Sequence, residues 1–313
     1  MSEPMYIVTG ATGHIGNNVT RYLLNQNEDV RVLVRRIDRS LEGLSCDIKM
    51  SQMFDDTFLD QTIHEHDIII HCAAYIDLMN QDIMNTFRTN LQLTKRLVQI
   101  AKQKNCRFVY ISSVDVITKE KRGHIKEPLM IDVDDHKSYY KSSKASATNY
   151  VIEHMKQGLN GIVLYPSAVI GIHDYKPSAA GREILHAIKH RCLFSLRGGY
   201  NFIDVEDVSR AIYQAARIKS IDHMILSGQD ITVKELFKAI GNISGKRKFI
   251  VTLPTWLVRF AVIFSKKYSQ MMITTIQENY HYDNTNMIDI LHVTPKPFEQ
   301  TLRETIAWLQ QNH

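Results

Sequence analysis

Tyr6-Ile7-Val8-Thr9-Gly10-Ala11-Thr12-Gly13-His14-Ile15-Gly16 is the stretch on which the fold turns. Apolar residues run straight into glycines at 10, 13 and 16, and Ile15 to Asn25 then carries helical spacing. The pattern predicts a strand, a tight turn and a helix. Gly10 suits a turn that needs positive φ. Gly13 lets a pyrophosphate approach the backbone where a Cβ would intrude, and Gly16 lets the new helix lie close on the sheet. The free N–H groups and positive dipole end of such a helix favour phosphate, so a dinucleotide is the expected ligand.

The same alternation continues along the chain. Val30–Val34, Asp67–Ile70, Phe108–Ile111 and Gly161–Tyr165 read as further apolar strands. Helical patterns at Thr86–Lys104 and Ser138–Gln157 precede the last two. Strands alternating with helices predict an α/β fold, a doubly wound parallel Rossmann sheet covered on both faces. Residues 1–165 are expected to form the dinucleotide domain. Residues 166–313 are expected to be mainly a smaller C-terminal substrate lobe, with residues 201–226 returning to the sheet. In that lobe Phe202–Lys219 reads as a strand and helix, and Ile231–Ile243 and Phe298–Gln310 as helices. No internal repeat or flexible linker interrupts the chain.

Composition narrows the classes. With 313 residues, 44% hydrophobic and 23% charged, the chain is globular, not disordered, collagenous or coiled-coil. The formal charge of +5 is spread out, so nucleic acid is not an expected partner. Cysteines at 46, 72, 106 and 192 form no CxxC pair and read as reduced thiols. The opening residues carry no secretory pattern, and a cytoplasmic location is expected. The apolar stretch Phe249–Ser265 is broken by Pro254 and Arg259, which predicts no stable membrane span and leaves a peripheral contact open.

The TGxxGxxG spacing of Thr9 to Gly16 resembles the extended short-chain dehydrogenase/reductases, the NAD-dependent epimerase/dehydratase superfamily. These include dihydroflavonol reductases, 3β-hydroxysteroid dehydrogenases and nucleotide-sugar epimerases. The resemblance implies that Gly10, Thr12, Gly13, His14, Ile15 and Gly16 hold the cofactor. It also implies that Asp47-Ile48 holds the adenine, that Ala73, Ala74 and Tyr75 lie beside the ribose and nicotinamide, and that Asn90 braces that loop. Pro166, Ser167 and Val169 match a nicotinamide-contacting stretch, although Tyr165 stands where the family usually has Arg. Gly198 to Val208 and Thr301 to Leu309 match family segments too, so the likeness covers essentially the whole chain. A homodimer is expected on the same ground.

Cofactor choice is read at the end of the second strand. An acid there bonds the ribose of NAD, whereas an Arg pairs with the 2′-phosphate of NADP. Here Val34 is followed by Arg35 and Arg36, which points to NADP, and Asp38 keeps NAD open.

Tyr140 and Lys144 stand at i and i+4, on one helix face. An ammonium held close lowers a phenol from ~10 toward neutrality and makes it a proton donor or acceptor. Tyr139 with Ser143 would leave no cation. At the end of the fourth strand, Ser112 or Ser113 can donate to a substrate carbonyl. Alignment with the family's catalytic serine favours Ser113, with Ser112 holding the turn.

The resemblance thus implies an NADP-dependent oxidoreductase. It would pass hydride between nicotinamide and the carbonyl or secondary alcohol of a small organic substrate, with Ser113, Tyr140 and Lys144 catalytic. Tyr75, Ile76, Met79, Asp115 and His173–Ser178 are expected beside the substrate. A nucleotide-sugar epimerase or dehydratase using NAD and a non-catalytic NADPH-sensing binder are the alternatives. No metal is expected, since His64 and His66 lack partners. Gly241 to Lys246 is one residue short of a phosphate loop. The aromatic stretch Trp256–Tyr268 is expected to wall a pocket or pack a core.

Overall fold

The computed structural model describes residues 4–51, 55–77, 79–119, 122–128, 130–133, 138–263 and 270–313. Its elements are β1 (Tyr6–Thr9), α1 (His14–Asn25), β2 (Val30–Val34), β3 (Asp47–Met50), α2 (Asp56–Thr62), β4 (Ile68–His71), α3 (Ile83–Phe87), α4 (Leu93–Gln103), β5 (Arg107–Ile111) and α5 (Tyr139–Lys156). There follow β6 (Gly161–Pro166), β7 (Ala168–Ile170), α6 (Ala179–Lys189), β8 (Cys192–Ser195), β9 (Gly199–Asp204), α7 (Val205–Arg217), β10 (His223–Leu226), β11 (Gln229–Thr232) and α8 (Val233–Ile243). The chain closes with β12 (Phe249–Thr252), α9 (Thr255–Ile263), α10 (Gln270–Gln277), α11 (Thr285–Leu291) and α12 (Phe298–Asn312).

One parallel sheet runs β3-β2-β1-β4-β5-β6-β10. Its order reverses between β1 and β4, and the crevice outside the carboxyl ends at such a switch point is where doubly wound sheets bind ligands. β1, β4, β5 and β6 are buried at every position. Helices cover both faces, and each fully buried Ile, Leu or Val contributes roughly 1.5–3 kcal/mol. A three-stranded sheet, β11-β9-β7, and the parallel pair β12-β8 lie outside the large sheet. Lys296 joins Asp204, Glu206 and Glu304 in one ionic cluster, which ties α12 to α7.

Several expectations need correction. Asp47–Met50 is a strand that the apolar pattern does not reveal, because as the sheet edge it is only partly covered. The helix expected over Thr86–Lys104 is interrupted by a π turn at Arg88–Gln92. Gly241–Lys246 needs no correction: its spacing already set it apart from a phosphate loop, and it straddles the end of α8, where carbonyls rather than N–H groups are left free. Finally, α9 buries none of its residues, so Trp256 and Phe260 pack no core. The rest of that aromatic stretch, from 264 on, lies outside the described residues.

Candidate active site

The glycine turn is built as a nucleotide cradle. Gly10 has φ +76°, and a Cβ there would lie 2.7 Å from the Ala73 amide nitrogen. A Cβ on Gly16 would collide with the Gly10 carbonyl. Gly13 is exposed at the N-cap of α1, and neither a capping side chain nor an acid occupies that helix end. The first-turn N–H groups therefore point to a ligand anion. At the carboxyl end of β6, the Ser167 hydroxyl is buried without a partner, an arrangement costing ~1–3 kcal/mol unless a ligand or water supplies one. Both observations fit a bound dinucleotide.

His14 and Asn18 fix the turn to the segment after β7, both donating to the Ile172 carbonyl at 3.0 Å. Burial pushes the His14 imidazole pKa down, against the pull of Asp174. Thr12 and Ile15 flank this turn, and Val169 is half-buried in β7 after Pro166. The segment His173–Ser178 is not free to flank a substrate as expected. Arg21 donates to the Tyr175 hydroxyl at 3.1 Å, Arg39 to the Tyr175 carbonyl at 3.2 Å, and Lys176 pairs with Asp38 at 2.6 Å. The segment thus closes over the second-strand end and the glycine turn.

At that strand end Arg35 and Arg36 are exposed, and no carboxylate among the described residues pairs with either. Asp38 is engaged elsewhere, accepting from the Ser40 amide at 3.0 Å as well as from Lys176. Asp47 and Ile48 do not join the crevice. They open β3 in register with Arg31 and Val32, at the amino edge of the sheet. Asp47 there pairs with Arg31 at 2.6 Å, and Arg31 and Lys49 hold its carboxyl below the usual range despite partial burial. A two-residue motif is matched by type alone, whereas strand direction decides which edge it occupies.

A buried network runs from β1 to α5. The Ala73 N–H donates to Thr9 Oγ1 at 3.3 Å, and Thr9 donates to His71 Nδ1 at 2.7 Å. His71 Nε2 donates to Thr94 Oγ1 at 2.9 Å, which donates to the Asn90 carbonyl at 2.7 Å. Burial, reinforced by Lys144, lowers the His71 pKa to about 3, so the ring stays neutral as this pattern needs. Asn90, in the π turn, accepts from the Tyr75 N–H at 2.7 Å and donates to the Tyr75 carbonyl at 3.1 Å. It also donates to Ser143 Oγ at 3.0 Å, which donates to the Tyr140 carbonyl at 2.9 Å. Asn90 therefore braces the Ala73-Ala74-Tyr75 loop against the helix bearing Tyr140.

Ser138 caps α5 and sets Tyr140 in its first turn, facing the end of β5. The two serines separate there. Ser112 turns inward to Thr148 at 2.7 Å. Ser113 Oγ accepts from the Asp115 N–H at 3.1 Å and lies near enough to the Tyr140 phenol to pull its pKa down. Burial and the Asp115 charge push the Tyr140 pKa up, and Ser113 pulls it down. Lys144 Nζ donates to the Ile111 carbonyl at 2.6 Å and stands 4.3 Å from the Tyr110 ring centroid. Burial lowers its pKa to about 7. The lysine is thus uncharged at any pH where a raised Tyr140 would ionise by itself.

The Asp115 charge also raises the phenols of Tyr200 and Tyr282, after burial. Of the other residues expected near a substrate, Tyr75 and Met79 are half-buried and Ile76 is exposed. The sequence reading missed two lysines. Lys141 reaches Thr275 at 3.3 Å and Glu278 at 3.8 Å. Lys119 stands 4.8 Å from the Tyr282 ring centroid, with its pKa lowered to about 8 by burial. Neither carries a spacing signal, because their partners lie more than a hundred residues away.

A putative dihydroflavonol 4-reductase of Synechocystis sp. is 28% identical, over 98% of this chain and 95% of its own length. Sterol demethylase protein B of Methylococcus capsulatus is 23% identical, over 97% and 98%. The crystal structure of gox2253 superposes with a TM-score of 0.87 at 22% identity, covering 99% of this chain and 98% of that one, which shows the shared fold. The model of the NAD dependent epimerase/dehydratase family matches residues 6–225, from the first residue of β1 into β10. That span holds the glycine turn, the whole parallel sheet and the Ser113–Tyr140–Lys144 group, and the chain belongs to this family of NAD(P)-dependent oxidoreductases, epimerases and dehydratases.

Proposed function

We propose that the chain is an NADP-dependent reductase of a small organic carbonyl compound. The observation that carries this is the Ser113 hydroxyl beside the buried Tyr140 phenol at the carboxyl end of β5. Gly10–Gly16 would hold the pyrophosphate, Arg35 and Arg36 the 2′-phosphate, and Ser167 the nicotinamide end. When bound, the nicotinamide supplies the hydride that the carbonyl carbon accepts. Ser113 donates a hydrogen bond to the carbonyl oxygen as negative charge builds there. Tyr140 gives that oxygen its proton, and its raised pKa keeps the proton in place at neutral pH. Lys144, when charged, stabilises the phenolate left behind.

The test follows cofactor oxidation with a panel of aldehydes, ketones and ketosteroids, using NADPH and NADH in parallel. NADPH is expected to be preferred, and Arg36→Ala is expected to weaken NADPH binding while sparing NADH. Preference for NADH, or interconversion of a UDP-sugar without net change in the nicotinamide, would overturn the reading.

A further inference from the structure

The corner made of the β8–β12 pair and of α9, which follows β12 after two residues, carries apolar side chains outward. In β8, Leu193 and Ser195 turn in, while Cys192 and Phe194 turn out. Register sets Phe249 beside Cys192 and Val251 beside Phe194, and paired residues share a face. In α9, Trp256, Phe260 and Ile263 are spaced i, i+4, i+7, which lines one helix face. That face is usually turned to the core, yet these side chains are 71%, 61% and 66% exposed. Phe194 and Phe249 are 63% and 69% exposed. Together the five leave on the order of 500 Å² of apolar surface in water.

Charge says what covers it. No Asp or Glu occurs from 184 to 203 or from 236 to 263, the segments that carry β8, β12 and α9. Arg191, Arg197, Lys246, Arg247 and Arg259 are exposed around it. Lys238, Asn242, Arg247 and Lys248 line an open depression of about 420 Å³ where α8 meets Ile250 of β12. A second copy meeting this face through a two-fold axis would set like charges against each other. Nucleic acid would leave Leu257 and Ile263 without bases to stack on. Apolar side chains inside a cationic rim match an acyl layer beneath anionic headgroups.

We propose that the β8–β12–α9 corner docks the protein on an anionic membrane surface without spanning it. Among the described residues no helix is long and apolar enough to cross a bilayer. The aromatic and aliphatic side chains enter the headgroup–acyl boundary, and the arginines and lysines hold lipid phosphates. The inference does not depend on the proposed chemistry.

The test sediments the full chain with vesicles containing phosphatidylglycerol and with vesicles of phosphatidylcholine alone. Binding to the anionic vesicles is expected, weakening as salt rises, with a blue shift of tryptophan emission that Trp256→Phe removes. Arg191→Glu and Arg247→Glu are each expected to lower partitioning about five-fold or more. Trp256→Ser with Phe260→Ser is expected to abolish it while dinucleotide binding is retained. The proposal is overturned if the anionic vesicles bring down no protein at low salt. It is equally overturned if the double variant still sediments, or if the patch proves to be buried in a dimer in solution.

Discussion

The parallel sheet and the β8–β12–α9 corner are built from similar apolar residues and spend them in opposite ways. β5 and β6 bury all eleven of their residues between two helical layers. The corner is a two-stranded sheet covered on one face and a helix with nothing buried. Apolar content alone therefore does not say where a core is. A strand is buried when both faces are roofed, and roofing depends on how many crossover helices the topology supplies. The candidate catalytic group sits where the buried region ends, at the carboxyl edge, and burial there raises the Tyr140 pKa and lowers that of Lys144.

That contrast can be broken by substitution. The largest effect is expected from Lys144→Met. Turnover should fall ~10²–10⁴-fold, because the phenolate loses its cation. The folded pKa of Lys144, about 7, lies below its ordinary 10.5, so between those values the unfolded chain binds more protons and stability rises with pH. Lys144→Met should therefore raise Tm near pH 7, with the gain shrinking toward pH 10. Carbonyl reduction by the unmodified chain should decline as pH rises through about 7, as Lys144 loses its charge. A Tm that drops in the variant would show that the ammonium supports the fold.

Next comes Leu164→Ala in β6, fully buried, which should cost ~2–5 kcal/mol in urea unfolding. A cost below 1 kcal/mol would deny the sheet its role as the main core. Asn90→Ala should cost ~1–3 kcal/mol, since the Tyr75 N–H and Ser143 hydroxyl lose their shared partner. Asn90→Asp, which keeps the acceptor for Tyr75, should retain more kcat than Asn90→Ala. The smallest effect belongs to the corner: Phe260→Ser should change stability by no more than ~0.5 kcal/mol. A loss comparable with Leu164→Ala would mean that α9 is covered after all.

Much of the catalytic edge is legible in sequence because its residues are neighbours along the chain. Gly10, Gly13 and Gly16 act within one turn, Tyr140 and Lys144 within one helix, and Arg35 and Arg36 at one strand end. Local spacing carries such information. It carries less where a residue's meaning depends on a distant partner. Asp47 has the right type and the wrong edge, because Arg31 meets it across the ladder. Asp38 resembles a cofactor acid, but Lys176 takes it up. Lys119 and Lys141 gain their setting from Tyr282, Thr275 and Glu278, all far along the chain toward its C-terminus.

By itself, then, the sequence determined the alternating α/β order, the strand–glycine-turn–helix opening and the Tyr-Lys spacing, since each is written in periodicity over a few residues. Only the tertiary structure decided which serine meets Tyr140, that burial holds Lys144 near neutrality, that His173–Ser178 folds over the glycine turn, and that α9 faces water. Those outcomes depend on desolvation and on contacts between residues far apart in the chain, and neither exists until the layers have packed.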